Sequence, residues 1–266
     1  MQLGCSTILF GGHSLDTALA GISRAGYATI ELCAIPGMAD HLPAEGSPDD
    51  YRLIRQKIAD AGLTIESVGA STNLLDPDRR ARFVRLLQAA ALLGAPAITT
   101  GPGGVSDDEA SFRQVVAVLR DLARAAADTG VKISLKPHVR QAAYNTPTAL
   151  RLMAEVDSPW VGLNYDPSHL WRAQETPEAA IPALRPYILT ARIRDAVSRE
   201  PGGPGPVEQQ IPGQGAMNLP AIAQGLKTVP TLRSVVLEIV GARDLPAEAV
   251  QQVIERSKQA LDRYFA

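Results

Sequence analysis

A single closed (β/α)8 barrel, an α/β fold, is the architecture predicted for this 266-residue chain, and three observations predict it. Short β-branched apolar runs alternate strictly with alanine- and leucine-rich amphipathic stretches along the whole length. Glycines placed to stop helices recur at Gly26, Gly62, Gly94 and Gly130, spaced 36, 32 and 36 residues (62−26, 94−62, 130−94), which suits one strand, one helix and two short connections. No GxGxxG follows the first strand, as an open dinucleotide-binding sheet would require. No linker or change of composition marks a second domain, so residues 1–266 are read as one unit.

The strands are expected, in order, over LGCSTILF (3–10), YATIEL (27–32), LTIESV (63–68), APAITT (95–100), VKISLK (131–136), WVGLNYD (160–166), ILTARIRD (188–195) and SVVLEIV (234–240). Helix starts carry capping and proline signals at Ser47-Pro48, Asp76-Pro77, Ser106-Asp107-Asp108-Glu109, Thr146-Pro147 and Thr176-Pro177. The longest irregular stretch, 196–215 with PGGPGP at 201–206, falls after the seventh strand, at the rim where barrel enzymes react. A lid and a solvated loop are both open readings of it.

Composition narrows the partners. With 45% hydrophobic and 20% charged residues the chain can build a core, and a net charge of −2 with scattered lysines and arginines gives no footprint for nucleic acid. The apolar run 3–10 is too short for a signal peptide or a membrane span and has no basic residue before it, so a cytoplasmic protein with no membrane partner is expected. Cys5 and Cys33, the only cysteines, are read as small core residues.

Side chains alternate along a strand, so residues two apart share a face. Taking the apolar set Ile30, Leu32, Ile133, Leu135, Leu163, Tyr165, Ala191, Ile193, Leu237 and Ile239 as facing the helices leaves the other parity inward. That parity holds Glu31, Ser134, Lys136, His138, Asn164, Asp166, Thr190, Arg192, Arg194 and Glu238. Buried charges are costly unless paired, and Glu31, Lys136, Asp166, Arg192 and Glu238 together at C-terminal strand ends read as a site. A structural ion-pair cluster with no ligand is the competing reading.

The motifs IEL (30–32), GAPAITTGPGG (94–104), LKPH (135–138), NYDPSHL (164–170), RIRD (192–195), IPGQGAMNLPAI (211–222) and VLEI (236–239) run through nearly the whole chain. In that order they resemble the sugar phosphate isomerase and epimerase family with the xylose isomerase-like TIM barrel. Asp166-x-x-His169 is the most specific of them, and Gly213-x-Gly215 before the seventh helix is also typical. The resemblance implies carbohydrate metabolism, a small-molecule sugar or keto-sugar as partner, and a divalent manganese, cobalt, zinc or magnesium ion. In the family that ion is held by a glutamate, an aspartate, a histidine and a glutamate on strands five to eight, and the two glutamates also move the proton. Four histidines are too few for the three-zinc DNA repair endonucleases that share this fold.

Two of the four ligands are replaced, by Lys136 on strand five and Arg192 on strand seven. An ammonium and a guanidinium have no lone pair to give a metal, and Lys136, Asp166, Arg192 and Glu238 sum to zero charge by themselves. No cofactor is therefore expected. The favoured reading is an isomerase or epimerase with Glu238, Lys136, Asp166 and Arg192 as catalytic groups. His138, His169, Glu31, His13 and Trp171 would be substrate-binding groups. Two alternatives stay open: a displaced metal site on His138, Asp166, His169 and Glu238, and a noncatalytic carbohydrate-binding protein. A homo-oligomer is compatible with each reading. The segment GPGG (101–104) is read as a tight βα loop before a phosphate cradle, Trp160 as core, and His41 as a rim residue.

Overall fold

Eight parallel strands close on themselves in the computed structural model, which describes residues 1–200 and 202–265. The strands are β1 (Gln2–Ser6), β2 (Thr29–Ile35), β3 (Ala39–Asp40), β4 (Thr64–Gly69), β5 (Ala97–Thr100), β6 (Lys132–Leu135), β7 (Val161–Tyr165), β8 (Ile188–Ile193) and β9 (Ser234–Leu237). The order β1-β9-β8-β7-β6-β5-β4-β2 is closed by β1 pairing with β2, while β3 is a two-residue antiparallel addition to β2. Between the strands run α1 (Leu15–Arg24), α2 (Pro48–Asp60), α3 (Pro77–Leu93), α4 (Glu109–Thr129), α5 (Thr146–Val156), α6 (Pro167–Arg172), α7 (Pro177–Leu184), α8 (Val207–Gln210), α9 (Leu219–Lys227) and α10 (Ala247–Phe265). Among the described residues no helix is long and apolar enough to cross a membrane.

Helix boundaries follow local chemistry. Ser47 and Asp50 form a capping box, and Asp76 accepts from the N–H groups of Asp78 and Arg79. Gly26, Gly62, Gly94 and Gly130 all take φ between 72° and 79° just past a helix, a conformation that costs a residue with a Cβ. Two expected starts move. Asp108, not Ser106, caps α4 by accepting from Ser111 N–H, because Asp107 turns the chain at φ 61° just before it. Asn145 caps α5 one residue ahead of Thr146 and forms a box with Thr148.

Several strands are shorter than the apolar runs, while β2 continues three residues past its own. Ser6 ends β1 by accepting from Ile8 N–H, so Thr7–Phe10 winds into a 3-10 turn instead of continuing the strand. On the seventh strand the ladder ends at Ile193, and Asp195 instead closes the following loop. Its carboxylate accepts from the N–H groups of Ala196, Gly213 and Met217, and a Cβ on Gly215 would collide with Asp195 Oδ1. The Gly213-x-Gly215 pair is thus the seat of this carboxylate.

The helix-facing parity holds: Ile30, Leu32, Ile133, Leu135, Leu163, Ala191, Ile193, Leu237 and Ile239 are at most 1% exposed and pack in the layer between barrel and helices. The barrel axis is instead polar. Ser6, Glu31, Ser67, Thr99, Ser134, Asn164, Thr190 and Arg192 are all buried there, with Ser134 Oγ 2.8 Å from Thr190 Oγ1. Cys5 and Cys33 are buried, and burial pushes both thiols up.

Candidate active site

Arg192 is the centre of the axial network. It projects inward from β8, is 0% exposed, and donates from Nη2 to Glu31 Oε1 (2.7 Å) and Ser67 Oγ (2.8 Å). Its Nη1 lies 3.2 Å from Glu66 Oε2, and its Nε lies 3.6 Å from Glu238 Oε2. Glu31 also accepts from the hydroxyls of Ser6 and Thr99 at 2.7 Å each. Burial opposes ionisation of Glu31, but Arg192, Lys136 and these two hydroxyls outweigh it and hold its carboxyl at about 2. Glu66 shows the reverse balance: burial outweighs Arg192 and raises its carboxyl above the ordinary value.

Glu66 is a site residue that the alternation rule misses. Counting by twos from Val68 puts it on the helix side, but the β2–β4 register runs Ile30↔Ile65 and then Glu31↔Ser67. The extra residue is a bulge, and it brings Glu66 to the far end of the Arg192 guanidinium.

Toward the C-terminal end of the strands lies a second cluster. Lys136 Nζ sits 2.5 Å from Glu238 Oε2 and 3.2 Å from Asp166 Oδ2. Asp166 caps α6, accepting at Oδ1 from Ser168 N–H and Oγ–H. Its Oδ2 is within ion-pair range of Lys136 and, at 3.5 Å, of Arg194, although none of these contacts is aligned as a hydrogen bond. Burial opposes its ionisation, and Arg194 and Lys136 prevail to hold it well below the usual carboxylate range.

The helix that Asp166 starts carries two more groups at three-residue steps, His169 and Arg172, a spacing that places them on one face. Arg172 Nη2 lies 3.0 Å from His169 Nδ1, and Arg194 Nη2 lies 3.2 Å from His169 Nε2. Burial holds the His169 imidazole neutral well below its ordinary range, despite Asp166 nearby. The His138 ring packs against it at a tilt of 39°, with centroids 4.0 Å apart. Burial lowers His138 too, and its Nδ1 lies 2.8 Å from Val139 O, so Nδ1 carries the proton and Nε2 is left with a lone pair.

These groups open on a cavity of about 430 Å³ lined by Glu31, Lys136, His138, Arg140, Asn164, His169, Arg172, Arg194 and Glu238. Gly202, Gly203 and Pro204 of the long loop form part of its wall, and Arg172 Nη1 donates to Gly202 O at 2.7 Å. Pro201, the first residue of PGGPGP, lies outside the described residues.

Four expectations need correction. Arg192 and Asp166 do not line the cavity: they lie beneath it and orient Glu31, Glu238 and Lys136. His13 does not line it either, because its Nε2 is tied to Leu245 O at 2.9 Å. Trp171 is covered by Arg199, whose guanidinium stacks 3.6 Å from the ring centroid, so that face is closed to a sugar. The displaced metal set also fails to converge. His138 and His169 pack ring against ring at a tilt of 39° and Glu238 is taken up by Lys136; among the described residues no group of three or more His, Cys, Asp or Glu could hold an ion. At the position of the family's ion the donor chemistry is that of an ammonium between two carboxylates, which does not fit a divalent metal.

Comparison with known proteins gives the same architecture. No curated protein sequence matches the chain. Among solved structures it is similar to the IolI protein with a bound zinc atom (TM-score 0.81, 20% identity, 100% of each chain covered). It is similar also to the probable 3-DHS dehydratase AsbF from Bacillus anthracis (TM-score 0.80, 20% identity, 98% of this chain and 99% of that one). A D-psicose 3-epimerase determined with D-fructose superposes at a TM-score of 0.79 with 16% identity, over 100% of this chain and 99% of that one. The family model described as xylose isomerase-like TIM barrel matches residues 19–262, and the chain belongs to that family.

Proposed function

We propose that this protein is a proton-transfer enzyme of the isomerase and epimerase type, acting on a carbonyl-bearing carbohydrate with Lys136 in the role a divalent ion plays in its relatives. The observation that carries the reading is the position of Lys136 Nζ, at the cavity floor between Glu238 and Asp166. An ammonium there can donate to the carbonyl oxygen of a bound substrate and stabilise the enediolate that forms when the neighbouring carbon loses its proton. Glu238, the cavity-lining carboxylate beside it, is the base. On binding, the substrate oxygen displaces Glu238 as acceptor for Lys136, freeing Glu238 to take the carbon-bound proton and return it to the same or the adjacent carbon. Asp166 holds Lys136 in place, and Arg192 holds Glu238 and Glu31. His138 Nε2 offers its lone pair to a substrate hydroxyl.

Only a proton made acidic by a neighbouring carbonyl suits this pair, so ketoses and keto-sugars are the substrates, not plain aldose hydroxyls. The same first step serves isomerisation, epimerisation and loss of a β-hydroxyl, in keeping with the epimerase and dehydratase among the similar structures. The test is deuterium incorporation from heavy water into a panel of keto-sugars, followed by NMR. Glu238→Gln is expected to slow exchange by about 100-fold or more. Exchange unchanged by that substitution removes Glu238 from the mechanism. No exchange with any sugar, alongside measurable binding, points to a noncatalytic binding protein.

A further inference from the structure

Arg172 is a buried guanidinium. It is 5% exposed, and among the described residues no acidic group lies within 4.0 Å of it. Its Nε donates to Ser168 O, its Nη1 to Gly202 O, and its Nη2 faces the ring of His169. That ring is neutral and has a single lone pair, yet Arg194 also approaches it. Arg194 must share Asp166 with Lys136. The cations therefore outnumber the anions at this end of the barrel: with Glu31 matched by Arg192, the four cations Lys136, Arg140, Arg172 and Arg194 stand against the two carboxylates Glu238 and Asp166.

A buried charge without its counter-charge is costly, and a low-dielectric cleft focuses the field of such groups on whatever enters it. An independent observation points the same way. Asn164 projects into the same cavity, is 0% exposed, and neither its Oδ1 nor its Nδ2 has a hydrogen-bond partner. Buried amides of this kind are satisfied by a ligand or by water.

We infer that the substrate is an anionic keto-sugar, whose carboxylate or phosphate is bound by Arg172 and Arg194 with Arg140 at the rim, and whose hydroxyls engage Asn164. This deepens the proposed function and rests on it only in taking the cavity as the substrate site. Arg172 and Arg194 both approach His169, so one planar anion or one phosphoryl group can bridge them. The loop carbonyl of Gly202 orients Arg172, which makes the 202–204 segment a wall that the bound anion would brace.

The test is calorimetric titration of the whole chain with D-fructose, D-fructose 6-phosphate and 5-keto-D-gluconate at low ionic strength. At least one anionic sugar is expected to bind about tenfold or more tightly than D-fructose. The phosphate and carboxylate arms show which group the site takes. Arg172→Gln is expected to abolish that preference, with retained circular dichroism as the check that it folds. Arg140→Gln, at an exposed position, is expected to weaken the preference about threefold, and so is a rise to about 0.5 M salt. Equal binding of neutral and anionic sugars, a preference that survives Arg172→Gln and Arg140→Gln, or binding of none of the three overturns the inference. The two readings fail separately. Proton exchange on neutral keto-sugars without anionic preference leaves proton transfer standing, and tight anionic binding without exchange removes proton transfer but keeps the anion subsite.

Discussion

Replacing Glu31 by Gln is expected to cost stability in a way that depends on pH. The Glu31 carboxyl is held at about 2 in the folded protein against an ordinary value of 4.5, with Arg192 at 2.7 Å as its closest cation. The gap, at about 1.36 kcal/mol per pH unit, is worth about 3 kcal/mol at neutral pH. The sign follows from the direction: a carboxyl held down by folding stabilises fully above 4.5, and this stabilisation is lost as pH falls toward 2. At pH 3 less than half of it is left. The assay is urea denaturation of wild type and Glu31→Gln at pH 7 and pH 3, followed by circular dichroism and by Trp160 and Trp171 fluorescence to establish a single transition. The stability difference should shrink by about 2 kcal/mol on acidification. A difference that is flat or grows as pH falls would refute the claim that Arg192 and the two hydroxyls outweigh the burial of Glu31.

Lys136→Met is expected to destabilise by about 3 kcal/mol, the low end for a broken buried pair, since Arg194 and Arg192 still face Asp166 and Glu238; thermal denaturation measures it. The protein as purified should carry less than one equivalent of manganese, cobalt or zinc by elemental analysis. The double substitution Lys136→Glu with Arg192→His should create manganese affinity measurable by titration, because it completes a set of one histidine and three carboxylates with Asp166 and Glu238. Stoichiometric metal in the wild type, removable by chelator with loss of thermal stability, would contradict the first expectation.

Strand order and inward parity were legible because apolar residues facing the helices recur every second position on β6 to β9, leaving Lys136, Asp166, Arg192 and Glu238 no other direction. The bulge at Glu66 was not, since alternation carries no sign of an added residue. The roles of His13 and Trp171 were misjudged for a similar reason. His13 sits on a loop and Trp171 near the end of the short helix α6, and whether such a rim side chain meets the cavity or another segment is decided by partners distant in sequence, here Leu245 and Arg199. Arg172 carried a usable signal, its three-residue step from His169, but that spacing equally describes a solvated helix face.

The ionic column along the barrel axis also constrains how such a sequence can change. Lys136→Glu alone would set a carboxylate against Asp166 and Glu238, and Arg192→His alone would strand Glu31 and Glu66 without their guanidinium. Each single step is a loss, and the two together are tolerable only with a divalent ion bound among the new carboxylates and with Glu31 and Glu66 relieved of their lost guanidinium. A lineage holding this column is thus separated from its metal-binding relatives by a fitness valley, crossed only by paired changes or by a prior substitution at Glu31 or Glu66 that makes the first step tolerable.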